Sequence, residues 1–222
     1  GELFEDYATD KSRKSISDLI NKLAEIDGIE WIRLMYCYPE EITDDLLYTI
    51  KKQPKACHYL DLPIQHINDE ILKKMGRRTS KKDIIEKIDM IRSILPDAAL
   101  RTTLISGFPG ETKDQHDELL EFVKDVKFDR LGVFPYSEEE GTAACNFPGM
   151  IDDITRQERA EEIMKVQSGI IFEKNKSYIG SLQMVFVEGY LPEDETYVGR
   201  TYRDAPDIDG YVFFSSDIKL NL

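Results

Sequence analysis

Four short apolar runs, each linked to the next by a stretch of helical periodicity and each leaving through proline or glycine, constrain this chain more than any other feature. They are Trp31 to Tyr36, Cys57 to Leu62, Leu100 to Ile105 and Arg130 to Phe134. Strands that alternate with helices pair in parallel, because parallel neighbours need long connections and those are usually helical. The helical signals are regular. Ser15 opens a helix with Ile16, Leu19, Ile20, Leu23 and Ile26, and Thr43 opens one with Leu46, Leu47 and Ile50. Asn68 caps a helix with Ile71, Leu72 and Met75, closed by Gly76, and Ser80 begins another that stops at Pro96. Thr112-Lys113-Asp114-Gln115 is a capping box ahead of Leu119, Leu120, Phe122, Val123 and Val126. A closed eight-unit barrel needs roughly 200 to 250 residues. Four units therefore predict a partial parallel (β/α) barrel or an open sheet.

The texture changes after this α/β part. Thr155-Arg156-Gln157-Glu158 reads as a second capping box, opening a long helix to about Tyr178. Met184 to Val187, Thr196 to Val198 and Tyr211 to Phe214 are short β-like runs separated by turns. The expected division is residues 1–150 as the partial barrel, 151–180 as a connecting helix and 181–222 as a small antiparallel β domain. Three strands are few for a free-standing domain. The β domain is therefore expected either to continue past Leu222 or to dock on the first domain. An exposed edge of a partial barrel would also favour self-association.

The net charge is −14, from 43 acidic and 29 basic residues. An acidic surface repels phosphate backbones and steers in basic partners, so nucleic acid is a poor default partner. No apolar run approaches the roughly 18 residues of a membrane span, and no secretory signal pattern is present. A soluble, cytoplasmic protein with no membrane partner is expected. The first residue, Gly1, is read as a processed or trimmed end. Cys37, Cys57 and Cys145 form no C-x-x-C pair, so neither zinc nor a disulfide framework is indicated and no metal ligand is assigned.

In parallel α/β folds, sites form at the carboxyl ends of the strands. The residues there are Cys37-Tyr38-Pro39, Pro63 to His66, Gly107 to Glu111 and Pro135-Tyr136-Ser137. In Gly107-Phe108-Pro109-Gly110-Glu111-Thr112, a glycine after an apolar strand allows close approach of a ligand. Pro109-Gly110 suits the centre of a type II turn, and free N–H groups at the following helix could receive a polar ligand group. An ordinary strand-to-helix turn is the alternative. Gln65 and His66 can hydrogen-bond a ribose, carboxylate or amide, with His66 also able to act as a base, or they pack for structure alone. His58 reads as structural and His116 as solvent-facing. Lys73, Lys74, Arg77 and Arg78 form a basic cluster, suited to a substrate carboxylate or simply to a solvated helix end. Arg101 is isolated in an apolar strand and needs a partner, either beside a cofactor or in a strand-end ion pair.

Several strings together carry a resemblance. Trp31 to Tyr36, Leu60-Asp61-Leu62-Pro63-Ile64-Gln65-His66, Gly107 to Thr112 and Arg130 to Ser137 resemble the radical S-adenosylmethionine (SAM) methylthiotransferases. Val198 to Thr201 and Ala205-Pro206-Asp207-Ile208-Asp209-Gly210 are similar to the TRAM domain that ends those enzymes. The resemblance implies a radical-SAM (β/α) barrel, S-adenosyl-L-methionine as cofactor and two [4Fe-4S] clusters in the full-length protein. The first cluster sits on a C-x-x-x-C-x-x-C loop and reduces bound SAM, and the adenosyl radical then takes a hydrogen from an unactivated carbon. A second cluster, on an N-terminal domain, supplies sulfur. This chain has no C-x-x-x-C-x-x-C, so none of the clusters is expected on it. It is read as a fragment, the later two-thirds of a (β/α)6 partial barrel, inactive alone. By position the resemblance assigns cofactor-binding roles to Gln65, His66, Arg101, Gly107, Phe108, Pro109, Gly110, Glu111, Phe134 and Tyr136.

Leu-Pro-Ile-Gln-His and Ala-Pro-Asp-Ile-Asp-Gly favour the branch that modifies an aspartate of small-subunit ribosomal protein S-twelve. The acidic charge agrees with a basic ribosomal partner. The tRNA-modifying branch predicts a basic terminal domain, whereas Arg200, Arg203 and Lys219 are the only basic residues of 181–222. A cluster-free binding scaffold is the third reading.

Overall fold

The computed structural model describes residues 15–221, and the reading of the polar first dozen residues lies outside them. The elements follow the sequence pattern: α1 (Ile16–Ala24), β1 (Ile32–Leu34), α2 (Asp44–Lys52), β2 (Ala56–Gln65), α3 (Asp69–Lys74), α4 (Lys81–Ile94), β3 (Ala99–Ser106), α5 (Lys113–Val126), β4 (Arg130–Pro135), α6 (Asp153–Ser177), then β5 (Phe186–Leu191), β6 (Thr196–Arg200) and β7 (Val212–Phe214). The helix starts have local causes. The side chains of Ser15, Ser80 and Thr112 each accept the N–H three residues on, and Asp18, Asp83 and Gln115 complete reciprocal capping boxes. The long helix corrects its sequence reading. It begins at Asp153 rather than beyond Thr155, because Asp152 is the cap and accepts the Thr155 N–H. A carboxylate serves that purpose as well as a hydroxyl.

Strands β1 to β4 form one parallel sheet in sequence order, and β5 to β7 form a separate antiparallel sheet. A partial barrel or open sheet was the expectation, and a four-stranded parallel sheet with two edges is what forms. The terminal strands are displaced from their sequence readings. The first runs from Phe186 rather than Met184, and the second extends to Arg200.

Alternation along β3 divides the sheet into two faces. Leu100, Thr102, Leu104 and Ser106 are buried, while Arg101, Thr103 and Ile105 are half-buried. Leu100 and Leu104 join Leu60, Leu62, Ile64 and Leu131 in a core with the apolar stripes of the helices, including Leu47, Ile88, Leu119 and Ile163. The opposite face carries Tyr59, Asp61 and Arg101, and is met at its amino-terminal end by the β domain. Among the described residues, no helix is long and apolar enough to cross a membrane.

Candidate functional site

Parallel register brings the strand exits to one rim. Gln65 pairs with Leu104, Ser106 pairs with Pro135, and the Tyr136 N–H donates to the Ser106 carbonyl at 2.8 Å. Gln65, Gly107 and Tyr136 therefore leave neighbouring strands at the same end. Three of the four exits turn through the left-handed region: Tyr36 at φ 57°, Gln65 at 70° and Gly107 at 70°. Such a conformation costs a residue with a β-carbon about 1–2 kcal/mol, so Tyr36 and Gln65 are held there by their surroundings. For Tyr36 the holder is Asp61. One Asp61 carboxylate oxygen accepts the Tyr36 N–H at 3.1 Å, and its backbone carbonyl accepts the Cys37 N–H at 2.8 Å.

Arg101 extends along the helix-free face. Its guanidinium donates to Asp61 at 2.7 Å and to the Thr103 hydroxyl at 3.1 Å. The Asp61 side chain is wholly buried, and burial opposes the charge on Arg101, but Asp61 more than offsets this and raises the guanidinium pKa further. The pairing is therefore across neighbouring strands rather than at a strand end. Gly132 opens space beside it, since a methyl there would lie 3.8 Å from the Phe134 ring and 4.0 Å from Arg101. Phe134 is 59% exposed and Tyr36 71%. This face thus carries a charge-balanced Asp61–Arg101 pair, with exposed aromatic rings at Phe134 and Tyr36.

The remaining assigned residues lie behind this surface. The Glu111 carboxylate accepts the Gly107 N–H at 2.8 Å and the Phe108 N–H at 3.3 Å, and is gripped by Arg159 at 2.8 Å. The Gly110 N–H goes to the Gly149 carbonyl, and the capping box at the start of α5 takes the Thr112 and Gln115 N–H groups. The loop's own carboxylate and cap thus take the N–H groups of Gly107, Phe108, Thr112 and Gln115. The close approach at Gly107 is also internal, because a β-carbon there would overlap the Arg156 side chain of α6. The Phe108–Glu111 hydrogen bond of 2.9 Å and φ of 79° at Gly110 agree with the type II turn read from Pro109-Gly110.

His66 is fully buried. Its Nδ1 accepts the Asn68 N–H at 3.0 Å, and its Nε2 lies 3.6 Å from Glu111, an electrostatic contact too long for a hydrogen bond. A ring enclosed in this way does not present a base to the rim. Burial pushes the Glu111 pKa up, but the facing His66, then Arg159 and His116, outweigh it and hold the group below the usual glutamate range. His116 is buried at 2% exposure, contrary to the solvent-facing reading. It lies 3.0 Å from Glu162 of α6, whose packing over α5 covers it. Tyr136 is half-buried, edge-on to Phe108 with ring centres 5.3 Å apart, and its hydroxyl has no partner.

Sequence reasoning passed over Asp61, Tyr36, Arg156 and Arg159. Asp61 carried a usable signal, since an isolated acid in one apolar strand and an isolated base in the next imply a buried pair. Arg156 and Arg159 gave none, because helical arginines are ordinarily solvated.

Cys37 and Cys57 are held as thiols. Burial, with the Asp61 charge, pushes the Cys37 thiol up to about 11, and burial raises Cys57 as well, whereas cluster ligands are thiolates. Among the described residues, no group of three or more histidines, cysteines or carboxylates could hold a metal ion.

Residues 7–123 match the Radical SAM superfamily, and residues 179–221 match the TRAM domain. A ribosomal protein uS12 methylthiotransferase RimO of Lachnoclostridium phytofermentans is 51% identical over 90% of this chain and 46% of its own length. Proteins of the same name from Geobacter sulfurreducens (50% identical over 91% of this chain and 45% of that protein) and Clostridioides difficile (48%, over 92% and 46%) are similar. The chain thus spans about half the length of these relatives.

Proposed function

Because the chain belongs to the radical SAM superfamily, we propose that it carries the later part of the barrel of an enzyme that methylthiolates the β-carbon of an aspartate in small-subunit ribosomal protein uS12. The observation that carries this reading is the 51% identity, across 90% of the chain, to a relative of that name. The acidic balance of the chain supports a basic protein substrate over tRNA. The cytoplasm, where ribosomes are modified, is the proposed location. The working division remains residues 1–150, 151–180 and 181–222, with the β domain as TRAM.

S-adenosyl-L-methionine would lie at the rim and supply the adenosyl and methyl groups. Gln65, Arg101 and Phe134 are the contacts proposed from this chain, with Gly110 and Tyr136 at the margin. A guanidinium, a side-chain amide and an exposed aromatic ring suit a ligand with a carboxylate and an adenine ring. His66, Gly107, Phe108, Pro109 and Glu111 shape the β3 exit from behind. Iron–sulfur clusters would be held by other residues of the whole protein. Among the described residues, Lys73, Lys74 and Arg78 engage no carboxylate, whereas Arg101, Arg156 and Arg159 are all paired. These cations, of which Lys74 lies against Gly110, are proposed to meet the carboxylate of the target aspartate.

The test is mass spectrometry of ribosomal protein uS12 and of tRNA from cells lacking the gene. Loss of the methylthio group from the aspartate alone is expected. An unchanged aspartate with loss from tRNA would transfer the chain to the other branch, and no change in either would favour a binding scaffold.

A further inference from the structure

The segment between β6 and β7, which contains the Ala205-Pro206-Asp207-Ile208-Asp209-Gly210 string, meets all four parallel strands near their amino-terminal ends. Arg33 of β1 donates to the Tyr202 carbonyl at 2.7 Å, and the Tyr59 hydroxyl of β2 donates to Asp209 at 2.7 Å. The Tyr202 hydroxyl donates to the Asp97 carbonyl, just before β3, at 3.0 Å. Arg130 of β4 pairs with Asp204, and Arg203 pairs with Asp129. The segment is also tied to itself. Asp204 accepts from the Thr201 hydroxyl at 2.7 Å, and Asp209 accepts the Ala205 N–H at 2.8 Å. Ala205 is fully buried against Cys57, Tyr59 and Ala99, with Trp31 and Met35 beside them.

We propose that Thr201–Asp209 is the floor of the site, with Asp209 the positioning residue for Arg101. One Asp209 oxygen lies 3.7 Å from the Arg101 Nε, while the Arg101 Nη1 reaches Asp61. The guanidinium is thereby held between a carboxylate of the β domain and one of the sheet, and Asp61 in turn holds the Tyr36 exit. The segment covers part of the helix-free face at the end remote from the rim. Such cover matters to a site that generates a reactive intermediate, because water must be kept from it. This inference rests on the reading that the helix-free face houses the cofactor.

The test uses probes that need neither cofactor nor cluster, so it stands or fails apart from that reading. Trp31 is the only tryptophan of the chain and packs 5.8 Å from Phe186 of the β domain. Acrylamide quenching of Trp31 reports the docking, and phenylglyoxal modification of Arg101, followed by peptide mass spectrometry, reports the floor. Asp209→Ala is expected to raise the quenching constant about twofold and the Arg101 modification rate roughly fivefold through local opening. Asp209→Asn keeps an oxygen for Tyr59 and Ala205 but loses the charge. It should leave Trp31 quenching at the native value while Arg101 reacts roughly threefold faster, a split that a purely structural residue would not give. Should Asp209→Ala fail to fold by circular dichroism, Tyr59→Phe replaces it, with the same expectations. Native reactivity of Arg101 in both Asp209 variants, or full reactivity in the unaltered chain, would overturn the proposal.

Discussion

Arg101 and Asp61 sit opposite one another on adjacent parallel strands, 2.7 Å apart, and the same carboxylate fixes the left-handed turn at Tyr36. The pair is thus both an internal charge balance and the support of a strand exit. Removing one partner leaves the other charge buried without compensation, at a cost of roughly 3–5 kcal/mol. Arg101→Ala and Asp61→Ala should each lower the urea midpoint sharply. The double variant should lose less than the sum, because its second substitution removes the orphaned charge. Additive losses in a double-mutant cycle would show that the two side chains act independently.

Gly107→Ala should destabilise the β3 exit twice over. The position requires φ of 70°, costing an alanine about 1 kcal/mol, and its β-carbon would press into Arg156, adding roughly 1–3 kcal/mol of overpacking. Thermal unfolding should show a midpoint lower by several degrees, and Arg156→Ala in the same chain should recover part of the loss. Recovery is the informative result, since strain from φ alone would not respond to Arg156.

Glu111 makes stability depend on acid in a defined direction. Its folded pKa is depressed, so its contribution is present above the unfolded value and is lost as pH falls through the folded one. Urea unfolding from about pH 6 down to about pH 3 should show falling stability. Glu111→Gln should be less stable at neutral pH and should show a shallower decline below about pH 5. Parallel curves for the two proteins would place the acid sensitivity elsewhere.

Much of the scaffold was legible because it is written in local signals. The parallel order came from four apolar runs with crossover helices between them, and the helix start at Ser80 and the capping box at Thr112 place their helices to the residue. The exits at Gly107 and Tyr136 were also found, whereas β2 runs on through Pro63 to Gln65, past the proline read as its end. What those exits do was less legible. Glu111, Arg156 and His66 close the β3 loop from behind, and no periodicity announces that a carboxylate will turn back onto the N–H groups preceding it. His116 looked exposed from its own helix, because its cover comes from Glu162 of α6, 46 residues further on. The role of Asp209 was likewise hidden, since it is a contact between domains.

Lys74→Ala with Arg78→Ala, made in the full-length protein, should raise the KM for a uS12 peptide roughly tenfold, equivalent to about 1.4 kcal/mol. Binding of S-adenosyl-L-methionine should stay at the native value, and Lys74→Arg alone should be tolerated. Weakened cofactor binding would mean that these cations serve the cofactor rather than the substrate.

The central claim is that one rim of the parallel sheet cradles S-adenosyl-L-methionine. Equilibrium dialysis of labelled cofactor against the full-length protein tests it most directly, comparing Gln65→Ala and Phe134→Ala with Glu193→Ala in the exposed β5–β6 turn. The account predicts dissociation constants raised roughly tenfold for the two rim variants, with unchanged circular dichroism, and a native value for the turn variant. Native affinity in both rim variants would contradict it.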